Sequence, residues 1–214
     1  MAMALRVVVP PHPLLSHWLT VLRDAQTPQP LYGTALCELG RWLSYEALRD
    51  WLPQREVSVQ SAAGSAQGQV VDPAIPLLAI SAVPCGLGLW QGGQAVLPAA
   101  QIGHVVVASD GLQSINLPNP VPTTTGVLVY WGQLAEPEPL LLLLDQLAEQ
   151  GVSGSRLRLI TAVAAAPALH AVGERHGALT LYTAAIDPEL DPHGQISPGI
   201  GDLETRLIGY RCSH

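Results

Sequence analysis

The sequence predicts an α/β protein built on a mostly parallel sheet flanked by helices. Three features carry that expectation: short runs of almost wholly apolar residues, amphipathic stretches between several of them, and Gly or Pro at the junctions. Strands of a parallel sheet are buried on both faces, so they read as continuous apolar runs, and the crossing helices supply the cover.

Leu14-Leu15, Trp18-Leu19 and Leu22 recur at three- and four-residue spacing, as do Leu36, Leu39, Leu43 and Ala47. Two amphipathic helices therefore open the chain. After Val57-Ser58-Val59, strands are expected at 77–83, 103–107, 127–130, 157–163 and 179–186. Residues 61–69, rich in Ser, Ala, Gly and Gln, read as a loop, and Gly86-Leu87-Gly88 and Gly92-Gly93 read as tight turns without a dinucleotide fingerprint. Residues 116–125 hold Pro118, Pro120 and Pro122 followed by three threonines, and read as an exposed, semi-rigid excursion. The run 140–149 is helical, with Gly151 as its C-cap. One domain is expected over 1–214.

Hydrophobic residues make up 48% of the chain and charged ones only 13%, which fits either a large core or a face covered by another subunit. All ten cations are arginine, and none lies between Arg55 and Arg156. That interval carries seven acids: Glu56, Asp72, Asp110, Glu136, Glu138, Asp145 and Glu149. The remaining ten acids balance the ten arginines, so the net charge of −7 arises in the middle. A cation-free, acidic centre argues against nucleic acid as a partner. Cys37, Cys85 and Cys212 lack metal spacing and read as reduced, buried thiols of a cytoplasmic protein. The seven histidines are scattered without ligand spacing, so no metal site is expected. Arg6 and the short apolar run before Pro10-Pro11 do not make a signal peptide, and no membrane span is expected.

The stretch His12-Pro13-Leu14-Leu15-Ser16-His17-Trp18-Leu19-Thr20-Val21-Leu22-Arg23-Asp24, followed by Thr27, Glu38-Leu39-Gly40, Tyr45-Glu46-Ala47 and Arg49, resembles the opening of uracil phosphoribosyltransferases. Near the other end, Ile186-Asp187 and Gly194-Gln195-Ile196-Ser197-Pro198-Gly199-Ile200-Gly201-Asp202, with Arg206, resemble that family's base-recognition segment. The resemblance implies a type I phosphoribosyltransferase fold with a small hood, commonly as a dimer. It also implies the joining of uracil to phosphoribosyl pyrophosphate with loss of pyrophosphate, normally with Mg²⁺. On this basis Ile196, Pro198, Gly199, Gly201 and Asp202 are the candidate base-binding residues.

The phosphate side departs from the pattern. Where the family's loop reads Asp-Pro-Met-Leu-Ala-Thr-Gly-Gly-Ser, this chain has Trp131 at the acid, Glu136 at the Thr, Pro137 and Glu138 at the glycines and Pro139 at the Ser. Glycines let backbone N–H groups wrap a phosphate, proline has no N–H, and carboxylates repel an anion. Pro84 and Ser109 stand where the family has arginines. These substitutions predict a degenerate, non-catalytic homologue acting as a binding, scaffold or regulatory protein through a partner surface, with no cofactor. A homodimer or another protein is its expected partner, and a uracil-like ligand remains open. Trp131 and the other tryptophans are candidates for that surface. Two alternatives stand beside it: an active uracil phosphoribosyltransferase using Mg²⁺, and a uracil or uridine-nucleotide sensor without turnover.

Overall fold

A computed structural model describes residues 4–97, 99–108 and 111–209. The chain runs through β1 (Arg6–Val8), α1 (Pro13–Arg23), α2 (Gln29–Leu48), β2 (Gln54–Ser61), β3 (Gly64–Val71), β4 (Leu77–Val83) and α3 (Cys85–Gly93). It continues through β5 (Gln101–Ala108), β6 (Gly111–Ile115), β7 (Gly126–Trp131), α4 (Glu138–Glu149), β8 (Leu157–Ala165) and α5 (Ala166–Arg175). β9 (Thr180–Asp187), β10 (Glu189–Leu190), β11 (Ile196–Ser197) and α6 (Leu203–Ile208) complete it. Seven strands form one sheet in the order β1-β9-β8-β7-β4-β5-β6. All neighbours are parallel except β5 and β6. The predicted mostly parallel α/β architecture is what the chain adopts.

The interior strands are the apolar runs of the sequence. β7 and β8 are buried at every residue, and β4 at all but Val83. The chain moves outward one way from β4 to β5, then returns to the other side of β4 and proceeds β7, β8, β9. The strand order thus reverses between β4 and β7. Crevices in open α/β sheets form at such a reversal, beyond the carboxyl ends of the two strands.

Helix α1 begins with Pro13 at a position that needs no N–H, and the His12 side chain accepts from the Leu14 amide at 3.1 Å. Helix α4 starts at Glu138, after Pro137, and Gly151 follows its end at φ 76°. The helix thus starts two residues before the expected 140–149 run, and its C-cap is Gln150, with Gly151 the left-handed residue just beyond.

Three local readings need correction. Gly86, Gly88, Gly92 and Gly93 lie inside α3, not in turns. A methyl group at Gly92 would collide with the Cys37 carbonyl, and one at Gly40 with the Leu89 backbone. Glycine is there because α2 and α3 meet backbone to backbone, which outweighs its helix penalty of about 1 kcal/mol per residue. Residues 61–69 belong to a β2–β3 hairpin, paired from Gln54↔Val71 to Ser61↔Gly64. Its far half is mostly Ser, Gln, Gly and Ala, so the alternation that marks a strand is missing from the sequence. The 116–125 excursion is pinned rather than free. Val121 and Thr125 are buried, the Val121 amide donates to Gln150 Oε1 at 2.9 Å, and Arg156 Nη2 donates to the Pro122 carbonyl at 2.7 Å.

The cysteines and tryptophans also differ from expectation. Cys37 and Cys85 are half-buried, and Cys212 lies outside the described residues. Trp90 and Trp131 are 6% and 7% exposed and pack in the chain's own core rather than on its surface. Among the described residues no helix is long and apolar enough to cross a membrane.

Candidate active site

Two parts of the molecule converge at the carboxyl edge of the sheet: the segment leaving β9, and the crevice between β4 and β7. The first is built around Asp187, the last residue of β9, which is 4% exposed. Arg23 at the end of α1 grips it with both nitrogens, Nη1 to Oδ2 at 3.0 Å and Nη2 to Oδ1 at 2.6 Å. The same Nη1 donates to the Gly199 carbonyl at 3.0 Å, while the Gly199 amide donates to Asp187 Oδ2 at 3.0 Å. One ion pair therefore fixes both backbone groups of a single residue in the 196–201 turn. Bidentate guanidinium–carboxylate geometry sets direction as well as energy.

That turn demands glycine. Gly199 sits at φ 59°, where a Cβ would also collide with the Ile196 carbonyl, and Gly201 sits at φ 80°. Tyr32 of α2, fully enclosed, donates its hydroxyl to the Ile200 carbonyl at 3.0 Å. Burial pushes the Tyr32 phenol well above its ordinary range, with the Arg206 guanidinium, 4.4 Å over its ring, pulling the other way. Arg206 also donates to the Asp24 and Thr27 carbonyls, at 3.0 and 3.2 Å. The two stretches that carried the family resemblance are thus one object: Arg23, Asp24 and Thr27 hold Asp187, Gly199 and Arg206.

The predicted base-binding residues sit together here. Ile196 and Gly199 are buried, and Pro198 and Gly201 are exposed. Asp202 is the N-cap of α6, its Oδ1 accepting from the Thr205 amide at 2.8 Å. Sequence reasoning singled out the turn but not what holds it. Arg23 and Asp187 were visible within the matched motifs, whereas nothing in the sequence marked Tyr32.

The crevice between β4 and β7 is a cavity of about 370 Å³. Ala82, Val83, Pro84, Val106, Val107 and Trp131 make it apolar, Cys85, Gly132, Gln133 and Glu204 complete it, and no arginine is among the described residues that line it. Pro84 and Trp131, two of the positions expected to depart from the family's phosphate pattern, meet in this wall. Glu136, Pro137, Glu138 and Pro139 do not line it. They lead into α4, whose first turn lacks the Pro139 N–H. Ser109 lies outside the described residues.

Among the described residues no three His, Cys, Asp or Glu side chains come close enough to hold a metal ion. No step is routed through one.

A mostly parallel sheet with a crevice at its strand reversal and a clamped turn beside it defines a protein of the type I phosphoribosyltransferase fold. A family model described as uracil phosphoribosyltransferase matches residues 9–209. The uracil phosphoribosyltransferase of Synechococcus elongatus is 43% identical over 98% of this chain and 99% of its own. The chloroplastic uracil phosphoribosyltransferase of Arabidopsis thaliana is 39% identical over 95% of this chain and 71% of its own. The chain belongs to the uracil phosphoribosyltransferase family. In three dimensions it is similar to the AQ2163 protein of Aquifex aeolicus, with a TM-score of 0.80 at 24% identity, covering 94% of this chain and 97% of that one.

These relatives correct the functional expectation. Full-length similarity at 43% identity to proteins named for the transfer reaction overturns the reading of a non-catalytic scaffold working through a partner surface. The buried positions of Trp90 and Trp131 remove its physical motive as well.

Proposed function

We propose that the chain catalyses phosphoribosyl transfer to uracil, the activity for which its relatives are named. One observation carries the structural side: the Arg23–Asp187 pair locks both backbone groups of Gly199, so the 196–201 turn is rigid before any ligand arrives. A turn held this way spends little entropy in presenting its backbone donors and acceptors to a planar base. In the reaction a bond forms between uracil N1 and the ribosyl C1′, the C1′–O bond to pyrophosphate breaks, and the N1 proton passes to solvent. On this reading the base segment orients the nucleophile, and the enclosed Trp131 side of the crevice keeps water from the ribosyl centre. The same reading carries a homodimer and a cytoplasmic location.

The crevice favours a second reading through one specific observation, the lack of any arginine among the described residues that line it. On that reading the chain holds uracil or a uridine nucleotide as a sensor, without turnover. Purified protein given uracil, phosphoribosyl pyrophosphate and Mg²⁺ decides between them. Saturable formation of uridine monophosphate supports the enzyme. Calorimetric uracil binding without product supports the sensor, and neither signal removes both.

A further inference from the structure

The crevice between β4 and β7 has a chemistry of its own, and the inference drawn from it does not rest on the transfer reading. Its walls are the apolar faces of Val83, Pro84, Val106, Val107 and Trp131. A cavity of about 370 Å³ admits one or two fused rings, and an indole side wall favours a flat partner. The polar groups at the crevice point to the sign of charge that such a ring would carry. Glu204 lines it from the first turn of α6, and among the described residues its carboxylate has neither an ion pair nor a hydrogen-bond partner. Gln133, the other long polar side chain of the lining, keeps its Oε1 enclosed without a donor. No arginine is among the described residues that line the cavity, and the sequence holds none from Glu56 to Ser155. A carboxylate without a partner and no cation among the described lining residues disfavour phosphate and favour an N–H-donating group.

We propose that this crevice binds a planar aromatic or heteroaromatic ring bearing a positively charged, N–H-donating group. The ring packs beside Trp131, and the charged group faces Glu204. An aromatic cation placed there adds a cation–carboxylate attraction to apolar burial, whereas a phosphate would meet repulsion with no compensating cation among the described lining residues.

Three molecules of one shape and three charges test this: benzamidine, benzamide and benzoate, titrated by ligand-observed NMR against the full chain without substrates. Benzamidine is expected to bind about 3- to 5-fold more tightly than benzamide at low salt, the size of a partly exposed ion pair, with benzoate weakest. The gap between benzamidine and benzamide should shrink as salt rises. Glu204→Gln should close that gap while leaving benzamide binding in place. The salt titration on the unaltered protein stands if that variant fails to fold. Equal binding of all three, tighter binding of benzoate or inorganic pyrophosphate, or no binding of benzamidine would overturn the proposal. Uridine monophosphate formation is read separately, so failure here leaves the transfer reading standing.

Discussion

Arg23 and Asp187 are 164 residues apart in sequence and form a two-pronged ion pair whose carboxylate is almost wholly enclosed. The pair joins the first helix to the end of the last long strand, and Gly199 hangs from both partners. Removing one partner of a buried pair strands the other charge, which costs about 3–5 kcal/mol. Asp187→Asn and Arg23→Ala should each lower the urea midpoint accordingly. If the pair also orders the base turn, uracil binding should fall in both variants under conditions where they remain folded. Loss of stability with unchanged uracil affinity would confine the pair to a structural role.

The turn itself gives a second comparison. Gly199→Ala forces a side chain into the left-handed region and against the Ile196 carbonyl, whereas Gly33, inside α2, has nothing within 4 Å of a new methyl group. Gly33→Ala should stabilise the protein by about 0.5–1 kcal/mol, and Gly199→Ala should destabilise it by more than that. Thermal unfolding of the two variants against the parent tests the sign of each change.

Tyr32 and Tyr130 make the fold sensitive to alkali. Both phenols are enclosed, and burial raises them well above their ordinary value of 10.0. The folded state therefore keeps two protons that the unfolded chain gives up near pH 10. Stability is fully present below that pH and falls as pH rises beyond it, by up to about 1.4 kcal/mol per unit for each tyrosine. Urea midpoints measured from pH 8 to 11 should show the decline, and Tyr130→Phe should flatten it. A Tyr130→Phe curve parallel to the parent's would mean that Tyr130 carries none of it.

What the sequence made legible follows from range. β4 and β7 were readable because burial on both faces writes itself into consecutive residues, and the start of α4 because Pro and Glu belong to a helix's first turn. The glycines of α3 misled because their reason lies in distant parts of the chain, the Cys37 carbonyl of α2 against Gly92 and the Tyr130 carbonyl of β7 against Gly86. The β2–β3 hairpin was half hidden because Ser, Gln and Gly carry no alternation. The same division runs through the site. The 196–201 turn was legible as a motif, but its support by Tyr32 was not, since a tyrosine 168 residues away has no local signature. The functional expectation went astray by weighing the phosphate loop, Pro84 and Ser109, a few local positions, above similarity that spans the whole chain.

Trp131 provides a test of what fills the crevice wall. It ends β7 at 7% exposure and packs with the core. Trp131→Ala should therefore destabilise the chain by about 3–5 kcal/mol, the range for truncating a buried large aromatic. A loss under about 1 kcal/mol on denaturant unfolding would mean that the indole contributes little to the core.

Gln133→Arg asks whether charge in the crevice limits use of a phosphoribosyl donor. Gln133 is half-buried, lines the cavity beside Trp131, and encloses an Oε1 with no partner, so replacing its amide removes an unsatisfied acceptor while adding a cation. A guanidinium hydrogen-bonded to pyrophosphate contributes about 1.5–3 kcal/mol, or roughly 10- to 150-fold in affinity. If the chain transfers phosphoribosyl groups, the KM for the donor should fall by about an order of magnitude in this variant. The KM for uracil should stay where it was, because the 196–201 turn is held by Arg23 and Asp187 rather than by the crevice wall. The added charge should also weaken benzamidine binding relative to benzoate, with both read on one protein preparation. A variant whose donor KM does not move, in a protein that turns over uracil, would show that the donor's phosphates are held elsewhere on the chain.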